Sequence, residues 1–129
     1  MRTFEPVHES AWLRRVNDDA EFRHISRWTD LRFTLISDED SRTYRVGPGQ
    51  LAADGDGGTS AEIVLAGSAA AWSDFLAPVP PPHCNHVLAM DRRRTDFDIR
   101  SGRDELIRHL RVLDAVLQLM RPTGEEVNA

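Results

Sequence analysis

Residues 61–72 read Ala61-Glu62-Ile63-Val64-Leu65-Ala66-Gly67-Ser68-Ala69-Ala70-Ala71-Trp72, and Phe75-Leu76-Ala77-Pro78 and Pro80-Pro81-Pro82 follow. The apolar run Ala61 to Ala66 predicts a strand. Ser68 is a good N-cap for a helix over Ala69 to Leu76, because its hydroxyl can accept one of the helix's unpaired N–H groups. Pro78, Pro80, Pro81 and Pro82 end that helix and force an extended linker. Downstream, Asn85 can cap a second short helix through Met90. Phe97 and Ile99 alternate with Asp96, Asp98 and Arg100, the period of a strand. Ser101 and Asp104 form an S-x-x-D start signal for a long helix reaching about Met120, with Pro122 and Gly124 beyond it.

Upstream of this stretch, Ser10 can cap a short turn carrying Trp12, Leu13 and Val16. Asp18 then precedes Glu21 by three, a capping-box-like arrangement that opens a helix with Phe22, Ile25 and Trp28 at helical spacing. Leu31, Phe33 and Leu35 alternate with Arg32 and Thr34 as a half-buried strand does. Ser37 to Ser41 is a turn cluster, and Thr43 to Val46 a second strand that Gly47-Pro48-Gly49 breaks. The Gly-rich run Asp54 to Gly58 is a further turn, and Ala61 to Ala66 makes the third strand of an antiparallel meander.

The 129 residues fit one domain. It divides into an N-terminal helical extension (1–18), a core (19–121) and a tail (122–129). A chain of this length buries roughly two-thirds of its unfolded surface, so it builds a core without metal or disulfide staples. Its net charge of −5 argues against nucleic acid as a partner, since phosphate neutralisation supplies most of that affinity. The run Arg92-Arg93-Arg94 reads as a solvated loop or helix end. All 16 basic residues are arginine, which suggests a GC-rich, bacterial coding sequence. No apolar run approaches the ~20 residues that span a bilayer, so this is not an integral membrane protein. No secretory signal or peroxisomal address is present, and the cytoplasm is the simplest location.

The last helix carries the most information. Leu106, Leu110, Leu113, Val116, Leu117 and Met120 share one face at ~100° per residue. Val112 and Leu119 widen that face to roughly half the cylinder, against the ~100° stripe of one-sided packing. Ile107 lies off the other edge. This helix is expected to touch two apolar surfaces. One is the sheet, and the other a pocket, a lid or a partner subunit.

The strand–Ser–helix–proline–helix–strand–helix order of residues 61–82, with Asp98-Ile99-Arg100-Ser101-Gly102-Arg103-Asp104 leading into the apolar helix, resembles bacterial sterol carrier protein type two-like domains. The resemblance covers about residues 60–120, and residues 19–50 in element order. It implies an α+β fold: a curved, mainly antiparallel sheet of about five strands covered by helices, with a long C-terminal helix and an apolar tunnel. It further implies a hydrophobic ligand such as a sterol or fatty acyl chain, and a role as carrier or as accessory domain beside an enzyme. The Gly55–Gly58 insertion departs from the compact turn of that family.

His83-Cys84-Asn85-His86 places three potential zinc ligands within four residues. A closed site needs a fourth ligand, and no second cysteine exists to supply it. The run reads as a helix-entry loop, and Cys84 as a small buried or half-buried thiol rather than a nucleophile. Asp54 to Gly58 begins like a calcium loop but places Leu65 at the twelfth position, where a bidentate acid is required. His109 falls inside the apolar arc of the last helix, as a core or rim histidine or as a polar handle for a ligand hydroxyl.

Trp72, Phe75 and Leu76, with Leu88 and Met90, are expected to form a lid over the sheet. With His109, Leu113, Leu117 and Met120 they are the candidate ligand-binding residues. The expected function is binding or carriage of a hydrophobic small molecule, without chemistry, metal or cofactor. One alternative is an accessory subunit or homodimer using Val112 and Leu119. Another is a pocket adapted for isomerisation, cyclisation or hydration, with His109, His83 and His86 as acid/base groups.

Overall fold

The computed structural model describes residues 6–38, 40–54, 61–77 and 79–121. Helices α1 (Pro6–Asp18) and α2 (Ala20–Ile25) lead into strands β1 (Leu31–Ser37), β2 (Asp40–Gly47) and β3 (Gln50–Ala53). Strand β4 (Ile63–Gly67), helices α3 (Ala69–Leu76) and α4 (Val87–Arg93), strand β5 (Phe97–Ser101), and helices α5 (Arg103–Arg108) and α6 (Leu110–Gln118) follow. The expectations about Pro78, the Gly55–Gly58 insertion and the 122–129 tail lie outside the described residues.

The five strands form one sheet in the order β3-β2-β1-β4-β5. β1, β2 and β3 are antiparallel neighbours, and β5 runs antiparallel to β4. The expected third strand of the meander is not β4. After β3 the chain re-enters on the opposite edge of β1, and β4 pairs parallel with it, Phe33 opposite Ile63 and Leu35 opposite Leu65. The meander is completed instead by β3, a short strand in which only Leu51 is buried. The Gly47-Pro48-Gly49 break is the turn that reverses the chain into β3, with Gly49 at φ +68. Glycine takes that conformation without the Cβ penalty.

Alternation along the strands sends Leu31, Phe33, Leu35, Tyr44, Val46, Ile63 and Leu65 into one buried cluster to which all six helices contribute. On the opposite face Thr34 and Thr43 share a 2.8 Å hydrogen bond across β1 and β2, so these two buried hydroxyls satisfy each other. The core has two aromatic centres. Trp12 meets Tyr44 edge-on with centroids 4.8 Å apart, and Phe33 lies 5.6 Å beyond. Trp72 meets Phe97 at 5.4 Å and Phe75 at 5.8 Å, both near-perpendicular.

Several helix boundaries differ from expectation. Ser10 lies inside α1, which already runs from Pro6 and presents Trp12 and Val16, one turn apart, to the core. The cap of α2 is Asp19, whose Oδ1 accepts the Phe22 N–H at 2.8 Å. Asp18 is still helical as the last residue of α1 and is unable to take the extended cap conformation. Trp28 falls beyond the end of α2 and is 86% exposed. His86, not Asn85, caps α4.

The single long C-terminal helix is two helices, jointed at His109. Its start is Gly102 rather than Ser101, at φ +80. A Cβ on Gly102 would stand 1.9 Å from the Glu62 carbonyl oxygen, so the backbone approach itself demands glycine. The wide apolar face persists across the joint, with Leu106, Leu113, Val116 and Leu117 fully buried. Its second flank is occupied by the same chain, since α2 packs on α6 and α1 bonds to it, leaving Val112 buried and Leu119 half-buried.

Candidate functional site

The Gly67-Ser68 hinge aims α3 across the sheet. A Cβ on Gly67 would fall 2.8 Å from the Phe97 ring and 3.2 Å from the Trp72 indole nitrogen, so only glycine lets these rings close over β4. Ser68 caps α3 as expected, its Oγ accepting the Ala71 N–H at 3.0 Å and donating to Asp96 Oδ2 at 2.6 Å. The indole N–H of Trp72 donates to the Ile36 carbonyl at 2.7 Å, which fixes the ring while its face stays apolar.

Five of the expected ligand-binding residues lie in the fully buried cluster: Trp72 and Phe75 from α3, Met90 from α4, and Leu113 and Leu117 from α6. Three others, Leu76, Leu88 and Met120, are half-buried and pack against the same cluster. The structure therefore separates the set into five fully buried residues and three half-buried ones packed on them. His109 stands apart from both. It is the joint between α5 and α6, its ring 29% exposed with Nε2 4.0 Å from Glu105 Oε2.

The His83-Cys84-Asn85-His86 run points in divergent directions. His83 is exposed at φ +66. Cys84 turns inward and accepts from Arg94 Nη1 at 3.4 Å. His86 places Nδ1 3.1 Å from the Leu88 N–H and Nε2 3.3 Å from Asp114 Oδ1. Among the described residues no group of three or more His, Cys, Asp or Glu side chains is arranged to hold a metal ion.

Two arginines organise this region, and the sequence reading missed both. Arg94 does not share the solvated fate of Arg92 and Arg93. Its guanidinium forks onto Asp96 at 2.7 and 2.9 Å and reaches Asp74 on α3 at 2.6 Å. Hydrogen bonds from Arg94 and then from Ser68 hold the Asp96 carboxyl far below the usual carboxylate range. The run of three arginines obscured this role, although Asp96 two residues on was the available signal. Arg121 donates to the Phe75 carbonyl at 2.7 Å and to the Asn85 carbonyl at 3.1 Å, with its guanidinium 4.6 Å from the Phe75 ring centroid. Burial draws its pKa below the ordinary arginine value.

The backbone matches that of a solved protein along almost its whole length. The crystal structure of sterol carrier protein 2 superposes with a TM-score of 0.73, covering 95% of this chain and 100% of the other at 16% identity. The chain has the sterol carrier protein 2 fold. The solution structure of a conserved hypothetical protein from Thermus thermophilus, described as possibly a sterol carrier protein, matches with a TM-score of 0.61, covering 96% and 93% of the two chains at 16% identity. No protein-family model and no curated protein sequence matches this chain. The sterol carrier fold is thus kept in backbone while most side chains differ. Among its described residues no helix is long and apolar enough to cross a membrane.

Proposed function

We propose that this chain binds and carries a hydrophobic small molecule, a sterol-like, fatty acyl or other lipid ligand, in an apolar tunnel between α3, α4 and α6. The observation that carries this reading is the half-buried rim of Leu76, Leu88 and Met120 resting on the buried floor of Trp72, Phe75, Met90, Leu113 and Leu117, within a sterol carrier fold. The floor side chains are covered, so a ligand enters by displacing the rim. Burying ~300 Å² of ligand surface gains about 7 kcal/mol before association costs, which suffices for useful affinity without a charged anchor. The reading is non-catalytic and needs no cofactor. It places the protein in a bacterial cytoplasm, with its arginine-only basic composition as support for the source.

Native mass spectrometry of freshly purified protein, followed by organic extraction, tests the proposal. The expected result is an apolar molecule at near-stoichiometric level whose addition back to delipidated protein raises the melting temperature. A ligand at a hundredfold excess over its Kd stabilises by about 2.7 kcal/mol. A bare chain that no sterol, fatty acid or phospholipid stabilises would overturn it.

A further inference from the structure

Two of the chain's three tryptophans, Trp12 and Trp72, are 3% and 0% exposed, whereas Trp28 is 86% exposed. Trp28 stands in the turn between α2 and β1, and that turn is built to hold it out. The Arg27 N–H bonds to the His24 carbonyl at 3.4 Å and the Thr29 N–H to the Ser26 carbonyl at 2.9 Å, so the chain continues α2 as a tighter turn. Ser26 and Thr29 are buried, and Ser26 Oγ donates back to the Phe22 carbonyl at 2.7 Å. The indole is thus displayed from a turn anchored on both sides.

Cations surround it. Arg27 donates to the His24 carbonyl at 2.6 Å, with its guanidinium 5.9 Å from the Trp28 ring centroid. Arg23 and His24, in the last turn of α2, are exposed. Among the described residues neither Arg23 nor Arg27 is paired with a carboxylate. The acids of this segment are spent or turned elsewhere. Asp19 caps the opposite end of α2, about 9 Å away along six residues. Glu21 lies two residues from Arg23, a spacing that does not share a helix face. Asp30 is held by both ends of the Arg45 fork at 3.1 and 3.2 Å. The β2–β3 turn lies beside α2, where a Cβ on Gly49 would come 3.7 Å from the Arg23 carbonyl. That turn, Gly47-Pro48-Gly49-Gln50, adds no charge.

We propose that Trp28, with Arg23 and Arg27, docks this protein on the surface of an anionic lipid bilayer. The indole is an apolar ring with one N–H donor, the combination that settles at the headgroup level. The two guanidinium groups face lipid phosphates that neutralise them. The chain's net charge of −5 opposes the approach only weakly, because salt screens charges beyond about 8 Å and the docked end presents its cations first. The docking surface goes beyond ligand binding, and a chain that carried nothing would still dock.

Sedimentation with sucrose-loaded vesicles tests it, using phosphatidylcholine alone or with about one-third phosphatidylglycerol. A lipid taken up as ligand leaves the protein in the supernatant, so the pellet reads docking alone. The wild type is expected to pellet with the mixed vesicles, and to be released as salt rises from about 50 to about 500 mM. Arg23→Gln and Arg27→Gln are each expected to weaken that binding about fivefold. Trp28→Ala is expected to weaken it about tenfold. Ile107→Ser, which alters the 53% exposed isoleucine of α5, is expected to leave it unchanged. Equal pelleting with neutral and mixed vesicles, or binding untouched by Trp28→Ala, overturns the proposal. A vesicle-free dimer that Trp28→Ala converts to monomer overturns it too, and gives the surface to a second copy. Should Trp28→Ala fail to fold, the wild type decides. With the other two indoles buried, acrylamide-quenchable emission belongs to Trp28. Loss of that quenching on the mixed vesicles supports docking, and quenching unchanged in the bound protein refutes it.

Discussion

The indole N–H of Trp12 donates to the carbonyl of Val116 at 2.8 Å, tying together residues 104 positions apart. Arg15 continues the seam one turn on, donating to the Leu119 carbonyl at 2.8 Å and the Met120 carbonyl at 3.2 Å. The last carbonyls of a helix have no partner within it. Here α1 supplies partners from the far end of the chain.

Trp12→Phe keeps most of the ring volume but leaves the Val116 carbonyl buried without its donor. The expected loss is about 1–2 kcal/mol, read as a lower urea midpoint at unchanged slope. Trp12→Ala adds a cavity beside Tyr44, and about 3–5 kcal/mol is expected. Equal stability of Trp12→Phe and wild type would mean that the bond contributes nothing.

Tyr44 is the chain's single tyrosine, so its ionisation is directly observable. Burial, and then the 2.6 Å hydrogen bond it donates to Glu9 Oε2, push its pKa far above the ordinary value. A raised folded pKa favours the protonated form. The resulting stability is complete below the unfolded value of about 10 and is lost as pH rises beyond it. Phenolate absorbance is expected to stay absent above pH about 10 until the protein unfolds, and then to appear with loss of circular dichroism. A separate phenolate transition in the folded protein would contradict this.

Asp96 has the opposite linkage. Its depressed pKa contributes stability that is full above the unfolded value of about 3.9 and is lost as pH falls below it. Asp96→Asn is expected to cost about 1–2 kcal/mol at neutral pH, held to that range because the side chain is 36% exposed. The gap between variant and wild type should narrow below pH about 4, in thermal melts across a pH series. A constant gap would assign the effect to packing instead.

Gly102→Ala combines a positive φ with a clash against the Glu62 carbonyl. The expected cost is about 3 kcal/mol, at the upper end of ordinary substitutions. Gly47, where a Cβ would meet nothing within 4 Å, is the control, and Gly47→Ala is expected to be near neutral. Similar melting temperatures for the two variants would refute the close-approach argument.

Leu88→Gln and Met120→Gln alter the rim while leaving the floor in place. Each is expected to weaken affinity for an apolar ligand by about tenfold, the worth of one buried aliphatic side chain, and to change the melting temperature of the bare protein less than Leu113→Gln does. Unchanged affinity in both would place the ligand elsewhere.

Features that depend on local physics were legible in the residues alone. Ser68 declared the start of α3, because a hydroxyl one residue before a helix finds its N–H partners without help from the rest of the chain. Phe97 and Ile99 declared β5, and the leucines of residues 106–117 declared a buried helical face, because periodicity of about 2 or 3.6 is a property of the segment alone. Together with the resemblance over about residues 60–120, these sufficed for the fold class.

Which strands pair and which polar groups meet was set by the folded chain. The parallel pairing of β4 with β1 depends on where the chain re-enters the sheet, and alternation of side chains is the same for either neighbour. β3 has too little apolar patterning to be read without β2 beside it. Arg94 is set apart from Arg92 and Arg93 by Asp96 nearby and by Asp74, twenty residues earlier, and His86 takes its second contact from Asp114 on another helix. A side chain's charge and length are written in the sequence. Its partner is set by the folded backbone, because most of these contacts join segments far apart along the chain.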